Sequence, residues 1–208
     1  MSKKHRGNVI TITKISSTAI LITVTYQFIL IYTGIVSAVN KDWKNLSLSI
    51  TTILCLFIPF LLKRIAEKKE LLLPPGFLIV LLSFWFAALY LGEIKRFYYK
   101  LSWWDLLLHG ISGAYFAIIP FYLMKGIIRK EDKITRQRYA KFNAVFAFSF
   151  SIAIGTIWEM IEFLSDHFFH TKLVKGGLKD TASDLIVKII SAFISTSAFY
   201  LKETGMNR

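Results

Sequence analysis

Six stretches of the chain are almost continuously apolar, and short polar breaks separate them. They fall at about residues 18–39, 46–62, 71–92, 103–124, 142–164 and 181–200. Each approaches the roughly 20 residues a helix needs to cross the hydrocarbon core of a bilayer. Polar and apolar positions do not alternate within them, so the pattern predicts helices rather than barrel strands. The predicted class is all-α: a polytopic membrane protein of about six transmembrane helices, with residues 1–208 forming one integral membrane domain.

The breaks carry interfacial chemistry. Asn40 to Asn45 holds Trp43, the third break begins EIKRFYYKLSWW, and both read as aromatic anchors at a membrane surface. On the same reading, Trp103, Trp104 and Trp158 anchor helix ends. Pro74 and Pro75 are predicted in the first turn of the third span, where a missing N–H costs little. Pro59 and Pro120 are predicted to kink their helices. The basic N-terminus precedes an apolar run too long for a signal-peptide core, which predicts a retained first helix.

Composition agrees with the pattern. Of the 208 residues, 54% are hydrophobic and 15% aromatic, more than a soluble domain of this length needs. The formal charge of +13 does not indicate nucleic acid, because the basic residues sit in the short breaks between apolar segments. Placed there, they set orientation and attract anionic headgroups, so membrane lipids are the partners implied and no protein partner is indicated. The termini and the two loops on their side hold 17 Lys and Arg, against 8 in the other three loops. That bias predicts both termini in the cytoplasm and a bacterial inner-membrane location. The lone cysteine, Cys55, lies in an apolar run and reads as a small hydrophobe rather than a ligand.

With this topology, acidic groups far apart in sequence gather at one end of the bundle, the outer one. Glu93 closes the third span, Asp105 and His109 open the fourth, Glu159 and Glu162 close the fifth, and Asp180 and Asp184 open the sixth. Spacings of three and four residues put each pair on one helix face. Ser112 and Gly113, Ser151 and Gly155, and Lys188, Ser191 and Ser195 continue those faces as polar, small-residue stripes, which should turn towards one another rather than lipid. Asp166, His167 and His170 fall in the adjoining polar stretch, and the two histidines read as plain surface residues of a wet loop.

Carboxylates at the edge of a bilayer are costly unless paired, wet or bound to something. One reading gives Asp105, His109, Glu159, Asp180 and Asp184 as ligands of a divalent cation (Mg, Mn, Ca or Zn), with Glu162 or Glu93 as general base. Such a site could polarise a phosphoryl or carbonyl oxygen of a lipid or lipid-linked headgroup. A second reading is a cation- or proton-coupled transporter. A third is structural, with Lys188, Lys179 or Lys95 neutralising acids in an ion-pair network.

Known signatures are absent: there is no HExxH, no GxSxG, no phosphate-binding glycine loop and no PSGH box of lipid phosphatases. What stands out is the set WWDLLLHGISG, WEMIEF and GLKDTASDLI. On those segments, over about residues 93–195, the chain resembles the YjdF-like bacterial inner-membrane proteins. The resemblance implies their multi-helix fold and topology rather than a defined activity. A remoter likeness to VanZ-type membrane proteins is carried by Asp105-x-x-x-His109.

Overall fold

The computed structural model describes residues 15–127, 135–169, 173–174 and 176–205. These residues form eight α-helices and one π-helical segment, and no strand is found among them. Six spans are long and apolar enough to cross a membrane, so this is a multi-pass membrane protein. His170 and the first 14 residues lie outside the described part.

Span one is α1 (Ser17–Val39), capped by the Ser16 hydroxyl, which accepts from the Ala19 amide at 3.1 Å. Span two is broken. Helix α2 (Trp43–Cys55) ends at a turn over Leu56–Phe57, and α3 (Ile58–Lys68) starts afresh with a proline, Pro59, in its first turn. A proline has no amide to continue the preceding ladder, so the kink expected at Pro59 is a restart. Pro120, by contrast, lies inside an unbroken helix.

Span three begins later than its apolar run suggests. Pro74 and Pro75 lie ahead of the helix, not within its first turn. Pro75 and Gly76 are the central residues of a turn closed by the Phe77 amide on the Pro74 carbonyl at 3.2 Å. Gly76 has φ +74°, the left-handed value a type II turn requires at that position. Helix α4 (Phe77–Trp85) then runs directly into the π-helical segment Phe86–Ile94. Such widened turns often re-aim side chains near functional sites. A left-handed residue, Arg96, leads into the single turn α5 (Phe97–Lys100).

The last three helices are long: α6 (Trp104–Ile127), α7 (Arg136–Phe169) and α8 (Leu178–Thr204). Helix α7 starts in the basic loop rather than at residue 142, because no breaker separates Arg136 from the apolar run; Thr135 accepts from the Arg138 amide at 3.4 Å. At its other end α7 runs on through Asp166 and His167, so those residues are helical rather than looped. The Asp166 carboxylate accepts from the Leu173 amide at 2.6 Å and the Val174 amide at 2.8 Å, which ties those two residues back to the end of α7. His167 is exposed and stacks on Phe163.

The spans form two groups of three. Spans one to three share an apolar core in which Tyr26 stacks on Phe86 at 3.9 Å between centroids and Phe86 on Tyr90 at 4.6 Å. Helices α6, α7 and α8 pack more intimately, through the small-residue stripes. In lipid the hydrophobic effect does not drive helices together, so close backbone approach and interhelical hydrogen bonds carry more of the association. A Cβ added to Gly113 would lie 2.8 Å from the Lys188 carbonyl oxygen and 2.9 Å from its Cα, a measure of how nearly α6 touches α8. Ser151 donates to the Gly113 carbonyl at 2.7 Å, and Ser195 to that of Ala114 at 3.1 Å. Outward faces carry large apolar residues such as Phe28, Ile194 and Phe193, as a lipid-facing surface requires.

Candidate functional site

Three helices deliver the polar cluster. Helix α6 contributes Asp105 and His109, α7 contributes Glu159 and Glu162, and α8 contributes Asp184 and Lys188. His109, Glu159, Asp184 and Lys188 are at most 6% exposed, whereas the Asp105 side chain keeps 25% of its surface open. The cluster therefore lies inside the bundle with one carboxylate at its mouth. His109 is five residues into α6 and Lys188 ten residues into α8, about 8 and 15 Å from the helix starts.

His109 is the hub. Its Nε2 is 3.2 Å from Asp105 Oδ1 and 3.6 Å from Asp184 Oδ2, and its Nδ1 is 3.6 Å from Glu159 Oε1. Each ring nitrogen thus faces a different carboxylate set. Lys188 Nζ donates to Glu159 Oε1 at 2.6 Å and, more loosely, to the Gly155 carbonyl at 3.4 Å. A Cβ on Gly155 would approach Lys188 Cδ to 2.9 Å, so the absent side chain is what lets the lysine lie across α7. Glu162 accepts from the Trp158 indole at 2.8 Å.

Two triads bring single ligand atoms within 4.8 Å of one another: Asp105, His109 and Asp184, and His109, Glu159 and Glu162. Four of the five predicted metal ligands, with Glu162, are thereby drawn together. Asp180 lies one turn before Asp184 on α8, outside both triads, with its Cβ packed where a side chain on Gly176 would go. Glu93 is the penultimate residue of the π-helical segment, also outside the triads, and its charge acts on the nearby phenol of Tyr98. Burial first, and then Asp105, Glu93, Glu162 and Asp184, push that phenol well up from its ordinary range, so Tyr98 stays a neutral O–H beside the cluster.

The cluster opens into a cavity of about 160 Å³ at the seam between the two groups of spans. Asp105, His109, Glu162 and Lys188 form one part of its wall, and apolar side chains including Trp85, Phe116 and Ile154 form most of the rest. Four carboxylates face one lysine and one imidazole here, an excess of negative charge that a buried site does not hold without further cations or protons.

Trp158 is not the interfacial anchor that its place at a helix end predicts. It is half-buried, lines the cavity, holds Glu162 and meets Trp85 edge-on at 6.1 Å across the seam. The signal was the four-residue spacing from Trp158 to Glu162. Trp104 is likewise packed inward against Phe97, whereas Trp43 and Trp103 are exposed as anchors should be. Tyr98 carries no signal in the sequence, because a single-turn helix leaves no periodic pattern.

Residues 18–204 match the family described as "Predicted membrane protein (DUF2238)", and the chain belongs to that family. A relative called "Uncharacterized protein" from Thermotoga maritima is 26% identical over 149 residues, covering 72% of this chain and 73% of that one. No solved structure matches the chain.

Proposed function

We propose that the protein is a divalent-cation-dependent enzyme of the bacterial inner membrane, acting on the headgroup of a lipid or lipid-linked molecule. The observation that carries this reading is His109 Nε2 between Asp105 and Asp184, beside a mostly apolar cavity. One imidazole and two carboxylates from facing helices suit Mn or Zn, and the carboxylate excess also admits Mg or Ca.

In this reading Asp105, His109 and Asp184 hold the cation, which supplies Lewis acidity towards a phosphoryl or carbonyl oxygen. Glu159 faces the other ring nitrogen and, fixed by Lys188, orients the imidazole from behind. Glu162, steadied by Trp158, is the general base. Asp180 and Glu93 lie further out and shape the field at the mouth. The apolar wall suits the chain of a lipid. The sequence likeness to YjdF-like proteins fits the family assignment. The charge bias supports cytoplasmic termini and a site towards the outer leaflet; reporter fusions at each terminus test that orientation.

A second reading is favoured by one contact: the buried 2.6 Å pair of Lys188 and Glu159 is what a purely structural ion-pair network would contain. Elemental analysis of the purified full chain separates the two. About one divalent ion per chain is expected, lost in Asp184→Asn and His109→Ala but retained in Asp180→Asn. Equal metal content in all four proteins, each still monodisperse in detergent, refutes the metal reading and leaves the structural one.

A further inference from the structure

A second recess lies at the opposite end of α7 and α8 and is independent of the metal-site reading. It is a groove of about 820 Å³ lined by the first turns of α7 and the last turns of α8. Its composition is graded. Arg138 and Lys141 sit near the α7 start, with Thr135 and Tyr200 as neutral polar neighbours, and Val145 and Phe148 follow further along the helix. From Thr135 to Phe148 is thirteen residues, about 20 Å along a helix. Phe148 meets Phe193 edge-on at 6.2 Å, closing the apolar floor.

The charges are one-sided. Among the described residues, no carboxylate lines the groove. Glu203, the described acid on the last turns of α8, turns to Lys125 of α6 at 3.6 Å instead. Among the described residues, neither Arg138 nor Lys141 has an acidic partner. Two exposed cations at a helix end, followed along α7 and α8 by a mostly apolar trough floored by Phe148 and Phe193, match the order of groups along a phospholipid. An acidic peptide would meet the cations but has no use for a trough that descends into the membrane.

We propose that this groove binds one anionic phospholipid of the leaflet on the side of the termini, its phosphate between Arg138 and Lys141 and an acyl chain along Val145, Phe148 and Phe193. Attraction of a basic side chain to an anionic lipid surface corresponds to about fivefold in affinity, so removing both cations should cost roughly 25-fold. Native mass spectrometry of the full chain in neutral detergent, titrated with phosphatidylglycerol or phosphatidylcholine, tests this. One tightly held phosphatidylglycerol per chain is expected, with phosphatidylcholine binding much more weakly. The Arg138→Gln/Lys141→Gln double variant should lose roughly 25-fold, and Val145→Trp, which fills the trough and keeps both charges, should also lower occupancy. The exposed pair at the other end, Lys44→Gln/Lys100→Gln, should leave it unchanged. Equal retention of both lipids, loss of binding in the Lys44/Lys100 variant as large as in the Arg138/Lys141 one, or a second copy of the chain displaced by Val145→Trp would each overturn the proposal.

Discussion

Replacing Lys188 by Met removes the one permanent cation of the buried cluster while keeping a similar volume. At 2.6 Å from Glu159, and with an effective dielectric of about 20, the pair attracts by about 6 kcal/mol. Taking the two charges out of water costs several kcal/mol for each ion, so the intact pair contributes little net stability. Breaking it is another matter. Glu159 would be left 5% exposed beside Asp184 and Glu162 without its partner, and a stranded buried charge typically costs about 3–5 kcal/mol. Lys188→Met is therefore expected to destabilise the bundle by about 3–5 kcal/mol, and Glu159→Gln/Lys188→Met to recover most of that loss. The measurement is reversible unfolding in mixed micelles, with the two single variants completing a double-mutant cycle. A loss under about 1 kcal/mol for Lys188→Met would refute the reasoning, because Glu159 would then have another means of neutralisation. So would a double variant as unstable as the single one, which would assign the effect to packing against Gly155.

Two further substitutions test the frame around the cluster. Gly113→Ala places a Cβ 2.8 Å from the Lys188 carbonyl oxygen, which α6 and α8 can relieve only by moving apart; overpacking of this kind costs about 1–3 kcal/mol, read in the same unfolding assay. Trp158→Phe keeps the aromatic contact across the seam but removes the 2.8 Å bond to Glu162. A net loss of about 1.5–3 kcal/mol is expected for a hydrogen bond to a charged group, and Trp158→Phe in a Glu162→Gln background should cost less.

Much of this architecture was legible because a membrane simplifies the code. Length and polarity alone located six spans, because a run of about twenty apolar residues has one ready use in a chain of this size. The spacing of Asp105 to His109 and of Glu159 to Glu162 put each pair on one face, and the small residues on the same stripes marked the faces that meet. What stayed hidden lies where backbone departs from a regular helix. The restart at Pro59, the turn at Pro75–Gly76 and the π-helical run to Ile94 are set by local sterics and tertiary packing, which a 3.6-residue period does not encode. Tyr98 reaches the cluster only because Gly92 has no side chain: a Cβ there would fall 2.2 Å from the ring.

Of the five predicted ligands, four with Glu162 fall within the two triads and Asp180 does not. On a helix, Asp180 and Asp184 share a face, so spacing alone treats them as equals. Depth separates them. Asp184 is 3% exposed and reaches His109, whereas Asp180 is in the first turn of α8, where a carboxylate is favoured by the helix N-terminus and needs no cation. Glu159 is distinguished differently, because Lys188 already neutralises it. Asp105 and Asp184 share the Nε2 side of His109 and Glu162 accepts from the Trp158 indole, so none of these three has a lysine partner like that of Glu159 among the described residues. On the metal reading proposed above, the cation that resolves this excess of negative charge would be held by Asp105, His109 and Asp184 together.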